Sequence, residues 1–160
     1  MSNISVLAAM YKRVVEQELG LIASIDEDGD VAFRHPDLGT LFVSLSEDDP
    51  EFMHIVYPGF TTSDRLALSS AALLDLINTV NHRCKAAKLT VSSLHESTAS
   101  PRVSASIESI VAGKDSAPDE SLLRAILARC IGSIRHSATL LLKDAESIAN
   151  QDAPTTSISN

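Results

Sequence analysis

Tryptophan is absent, and only two tyrosines and four phenylalanines stand among 160 residues. So few aromatic faces exclude a broad platform for stacking bases or sugar rings. Cysteine is nearly as scarce. Cys84 and Cys130 are too few for the disulfide framework of a small secreted domain, so a reducing cytoplasm is the expected setting. Basic charge is in deficit: 13 Lys and Arg face 21 Asp and Glu, for a formal charge of −8. That balance argues against nucleic acid or an anionic membrane as partner. No basic start followed by an apolar run marks a signal peptide. The most apolar stretch, LALSSAALLDLINTV at 66–80, is interrupted by Asp75 and is too short to span a bilayer.

The usual signatures of chemistry are missing as well. There is no G-x-S-x-G elbow, no P-loop and no G-x-G-x-x-G. GKDS at 113–116 lacks the upstream glycine that a phosphate cradle requires. The histidines are His35, His54, His82, His95 and His136, and a metal pair on one helix face needs a spacing of three or four. His82 and Cys84 are two apart, and Cys130 and His136 are six apart. Both cysteines sit on apolar stripes, the pattern of packed thiols rather than nucleophiles. Carboxylates cluster only in polar turns, a poor setting for acid–base catalysis. The expectation is a protein that is not an enzyme, with no catalytic residue, cofactor or metal ligand to name.

What is present is a clear alternation of periods. Residues 4–19 place Val6, Leu7, Met10, Val14 and Leu19 near helical spacing, with Gly20 at the end. LIASI, VAFRH and TLFVSLS read as three strands, and Asp28-Gly29 between the first two is a strong hairpin signal. MHIVYPGF is either a further short strand or an irregular crossing, stopped by Pro58-Gly59. Ser63 and Asp64 suit the cap of a second helix reaching about Arg83, with Leu66, Leu73, Ile77 and Val80 on one stripe. AKLTVSSL and RVSASIESIVAG read as strands joined by the loop HESTASP. In the latter, Val103, Ala105 and Ile107 alternate with Ser104, Ser106 and Glu108, giving one dry and one wet face. Pro118, Asp119 and Glu120 open a last helix along Leu123, Leu127, Cys130, Ile134, Ala138, Leu141 and Ala145. Unbroken from 119 to 147 it is roughly 43 Å long, with Gly132 marking a bend. The order is α-β-β-β-α-β-β-α, an α+β domain over 1–147 followed by a polar, disordered tail over 148–160.

The charge is not spread evenly. Residues 26–51 hold nine acids and one base, Arg34, while the rest of the chain has 12 of each. In a strand meander the first turn and the end of the third strand lie at the same sheet edge. DEDGD at 26–30 and SEDDPE at 46–51 should therefore be neighbours, making one acidic edge from Asp26, Glu27, Asp28, Asp30, Glu47, Asp48, Asp49 and Glu51. A calcium loop of EF-hand type is excluded by its own rules. Counted from Asp26, the acids at positions 3, 5 and 12 are Asp28, Asp30 and Asp37, but Gly29 falls at position 4 and Val31 occupies position 6. Two readings of the edge remain beside plain solvated turns. One is a contact surface for a basic polypeptide; the other is a weaker metal- or small-molecule-sensing site shared by the two loops.

Several stretches carry a family resemblance: DEDGDVAF before the second strand, LFVSLSEDDPEF after it, and LINTVNHRCKAAKLTV where the second helix meets its strand. In the last, Asn78 and Asn81 followed by Lys88 look like the Asn-x-x-Asn…Lys signature of the YbjN family, whose fold is that of the type III secretion chaperones. The resemblance spans roughly residues 5–147. It implies an acidic bacterial α+β protomer, often a homodimer, that binds other polypeptides as a chaperone-like or adaptor protein, and it carries no catalytic residues. Asn81 has a local role open to it, ending its helix in the left-handed conformation and bonding the last carbonyls. For a homodimer, Leu68, Leu74 and Leu76 lie off the main stripe of the second helix and are the candidate interface. Simple core packing is the competing role for the same three.

Overall fold

The computed structural model describes residues 5–92 and 100–151. Ser5 opens α1 (Val6–Leu19), its hydroxyl accepting from the N–H groups of Leu7 and Ala8, and Gly20 closes it at φ 65°. Four strands follow without an intervening helix: β1 (Ala23–Ile25), β2 (Val31–His35), β3 (Gly39–Ser44) and β4 (Phe52–Thr62). Then come α2 (Ser63–Leu66), α3 (Ser70–Arg83), β5 (Lys88–Val91), β6 (Arg102–Ile110) and α4 (Glu120–Gln151). The six strands form one antiparallel sheet in the order β1-β2-β3-β4-β6-β5.

The main correction to the sequence reading is β4. MHIVYPGF is a strand, but not a short one stopped at Pro58-Gly59: it belongs to an 11-residue strand that runs through them, bridging the β1–β3 meander to β6. Five strands become six. A proline lacks the N–H that a central ladder needs, and the strand solves this with a bulge. Tyr57 pairs with Ala105 and Thr61 with Val103, so Pro58, Gly59 and Phe60 oppose Ser104 alone. Gly59 takes φ 52°, and its N–H donates to Ser104 Oγ at 2.9 Å. Tyr57 and Phe60 stack their rings across the bulge, centroids 5.0 Å apart, and the Tyr57 hydroxyl donates to the Leu38 carbonyl.

The second correction is that 63–83 is two helices. Thr62, not Ser63, caps α2, accepting from the Arg65 N–H. Ala67 then swings into the left-handed region at φ 54°, and Leu68 N–H returns to Ser63 O. Ser69 starts α3 afresh, accepting from the Ala72 N–H. The break keeps Leu66, Leu73, Ile77 and Val80 all buried, as the stripe requires. An alanine at positive φ carries a Cβ strain that glycine lacks. Ala67→Gly is accordingly expected to raise unfolding free energy by up to about 1 kcal/mol, measurable by urea denaturation; a loss of stability would contradict this local geometry.

All the covering helices lie on one sheet face. α1 rests on β1 and β2, α4 crosses β4, β5 and β6, and α3 packs on β5 and α4. Inward side chains Val31, Leu41, Val43, Met53, Ile55, Val103 and Ala105 are sealed from solvent. Their neighbours Ala32, Phe42, His54, Val56, Ser106 and Glu108 point to the other face and keep solvent contact. Within α1 the stripe is shifted by one position from the expected one: Leu7, Ala8, Tyr11, Val14 and Val15 are buried, whereas Val6 is 87% exposed. Asp119 receives the Ser121 and Leu122 N–H groups at the start of α4. That helix continues without interruption for 32 residues, roughly 48 Å, straight through Gly132 and past residue 147 to Gln151. Residues 148–151, expected in the tail, are thus helical, and the rest of the expected tail, 152–160, lies outside the described residues, as do 93–99 of the serine-rich loop. α4 is long and apolar enough by composition to cross a bilayer. Its apolar stripe of Leu123, Leu127, Ile131, Ile134, Ala138, Leu141 and Ala145 is instead buried in the core, with Ile131 in the place expected of half-buried Cys130.

Candidate functional site

The sheet topology brings the two acidic turns to one pole. In the first, Asp26 N–H donates to Asp30 O at 3.0 Å and Gly29 N–H to Asp26 O at 3.2 Å. Asp26 Oδ1 accepts from both Asp28 N–H and Asp30 N–H, and Gly29 supplies the positive φ of 89° that the bend requires. Asp30 then reaches across: its Oδ1 accepts from Leu45 N–H at 3.0 Å, in the loop that leaves β3. Val31 stands opposite Val43, and Ser44 opposite His54, so the 26–30 turn and the 45–51 loop open at the same end of the sheet. Asp37 does not belong there. It sits at the far end of the β2–β3 hairpin, paired with Arg135 at 3.1 Å.

The eight acids of the two loops do not share one environment. Asp26, Glu27, Asp28, Glu47, Asp48 and Asp49 are exposed, while Asp30 and Glu51 are half-buried. Glu51 is tied to the end of β6, its carbonyl accepting from Val111 N–H at 2.8 Å. One of its carboxylate oxygens, Oε2, is shut from solvent with no hydrogen-bond partner among the described residues. Beside it, Phe52 pairs with Ile110 across β4 and β6. Ile110 is 73% exposed. The pole therefore combines carboxylates with an apolar step. Sequence reasoning missed that step, although the signal was there: Ile110 continues the wet register of Ser104, Ser106 and Glu108 and is the one large aliphatic in it.

The other candidates do not gather into a site. Among the described residues no group of three or more His, Cys, Asp and Glu side chains is arranged to hold a metal ion. His54 faces Glu108 at 3.7 Å on the open sheet face, and His35 Nδ1 accepts from Asp37 N–H. Burial pushes the thiols of Cys84 and Cys130 above their ordinary range, the reverse of what activates a nucleophile. The Tyr11 hydroxyl pKa is raised by burial and then by Cys130, and the group has no hydrogen-bond partner among the described residues. The leucines assigned to a dimer face do not form one surface either. Leu76 is buried in the core and Leu68 half-buried against it, because the break at Ala67 turns α3 onto α4; Leu74 alone is exposed, at 43%.

Asn81 also has a different task from the expected one. It lies inside α3, which Cys84 ends in an extended conformation. The Asn81 amide reaches β5, accepting from Leu89 N–H at 2.8 Å and donating to Leu89 O at 3.0 Å. It occupies the outer edge of β5 as a neighbouring strand would, which blunts that edge against other chains.

A six-stranded antiparallel sheet with its helices on one face defines an α+β architecture. No family model matches the chain, and no curated protein is significantly similar to it. Its fold matches the crystal structure of YbjN from E. coli, a proposed transcription regulator, with a TM-score of 0.56 over 90% of this chain and 95% of that one at 11% identity. At that identity the likeness establishes a YbjN-like fold, and the resemblance read from the sequence holds at the level of fold.

Proposed function

We propose that the protein is a non-enzymatic binding module of adaptor or regulatory type, chaperone-like in mode, which engages a basic segment of another polypeptide at its acidic pole. The observation that carries this reading is the juxtaposition at one sheet end of two carboxylate-rich turns with the exposed Ile110. Carboxylates steer a cationic segment in and fix its register, and a buried aliphatic contact supplies affinity that salt does not screen. The description of YbjN as a proposed transcription regulator agrees with a regulatory role. Secretion chaperones share the small, acidic character of this chain, and a cytoplasmic homodimer is compatible with its free thiols and uncovered sheet face. The metal-sensing form of the alternative has no geometric support, because among the described residues the acidic loops form no group of three side chains arranged to hold a cation.

The test is affinity capture of partners from the native cytoplasm. Its control is a variant with Glu27→Gln, Asp28→Asn, Glu47→Gln, Asp48→Asn and Asp49→Asn together. Asp26 and Asp30 are spared because they hold the turns. A partner that binds the wild type should bind this variant at least tenfold more weakly, a loss of about 1.4 kcal/mol, and the wild-type complex should weaken as salt rises. Equal capture by both forms contradicts the assignment.

A further inference from the structure

On the helical side of the molecule, the end of α3 and the loop into β5 face the middle of α4 across an open cavity of about 360 Å³. That is the size range of small-molecule sites. Its rim carries Arg83, Lys85, Arg129 and His136, and among the described residues no acid lines it. In a chain where acids outnumber bases 21 to 13, this is a local reversal of sign. Arg83 is held by Asp144. Lys85 and Arg129 have no acidic partner within salt-bridge distance among the described residues. The cavity also includes Gly132, a residue ill suited to the middle of a long helix. Helix packing does not explain it: a Cβ built there meets nothing within 4 Å. What the missing side chain does provide is room.

We infer that this cavity is a binding site for a small, multiply charged organic or inorganic anion, held by Arg129 and Lys85, with Arg83 and His136 completing the rim. The shared chemistry is a compact group of anionic oxygens, which guanidinium and ammonium donors recognise directly. Phosphate and carboxylate ligands both satisfy it, so pyrophosphate and citrate serve as separate probes. Among the described residues no Phe, Tyr or Trp lines the cavity.

The experiment is calorimetric titration of the intact chain with each probe in phosphate-free, low-salt buffer. Saturable one-to-one binding of either probe is expected, and the one that binds identifies the headgroup class. Lys85→Ala with Arg129→Ala should weaken it at least tenfold. Gly132→Leu should fill the cavity and abolish binding while leaving the melting midpoint unchanged or higher. Arg135→Ala removes a cation outside the cavity and should leave binding as it was. The inference is overturned if neither probe binds, if the double variant binds like wild type, or if Arg135→Ala weakens binding equally. It is also overturned if the two cations act only in salt-sensitive self-association.

Discussion

Ile55→Ala should lower the unfolding free energy by about 3–4 kcal/mol, whereas Val56→Ala, one residue on, should lower it by about 1 kcal/mol or less. Ile55 is fully sealed on the helix-covered face of β4 and stands between Val43 and Ile107 on the neighbouring strands. Truncating it removes buried methyl groups and leaves a cavity that the flanking strands cannot close. Val56 points to the uncovered face beside Phe42 and Ser106, where water already reaches it. Urea unfolding followed by circular dichroism measures both. The contrast is specific to a fully paired strand with alternating faces: similar losses at both positions would mean that this stretch does not run as β4.

Removing the side chain of Asn81 is expected to cost about 3 kcal/mol, because two backbone groups of Leu89 lose their partners together and each unsatisfied buried group costs about 1–3 kcal/mol. Leu89 is 3% exposed, so water replaces little of the lost bonding. Asn81→Asp separates the two halves of the interaction. Its carboxylate still accepts from Leu89 N–H but sets a negative charge against Leu89 O, to which the wild-type amide donates. The folded state therefore favours the protonated acid, and the aspartate variant should regain stability as pH falls toward about 4, the ordinary aspartate value. The alanine variant has no such recovery. Concentration-dependent association of either variant is a further expected sign, since the β5 edge is then open. Denaturant melts at two pH values decide; an unchanged alanine variant would mean that Leu89 does not rely on Asn81.

Much of this architecture was legible in the sequence because side-chain period and turn chemistry agreed. Asp28-Gly29 marked its hairpin, and Val103, Ala105 and Ile107 marked the dry face of β6. Leu66, Leu73, Ile77 and Val80 lie in the core although their helix is broken between the first and second. What failed had identifiable causes. Pro58-Gly59 looks like a stop in one dimension; in the sheet it is a bulge that Ser104 accommodates. Ala67 carries no sign of a left-handed residue, so the break between α2 and α3 could not be read. Asn81 looked like a helix end because its true partner, Leu89, is reached only through the tertiary fold. The position of the acidic pole followed from topology alone. That Ile110 continues the wet face of β6 was readable, but placing it at the acidic pole required its pairing with Phe52, which depends on β4 being a strand. The basic cavity was invisible too, since its cations come from the end of α3, the loop after it and the middle of α4, whose contact no local pattern encodes.

The central claim is that a partner docks where the 26–30 turn, the 45–51 loop and Ile110 meet. Hydrogen–deuterium exchange of the protein alone and with a captured basic partner tests it most directly. Slower exchange is expected at residues 26–30, 45–52 and 109–111, with the far end of the β2–β3 hairpin around Asp37 unchanged. Protection confined to that far end, or to the helical side of the molecule, would contradict it.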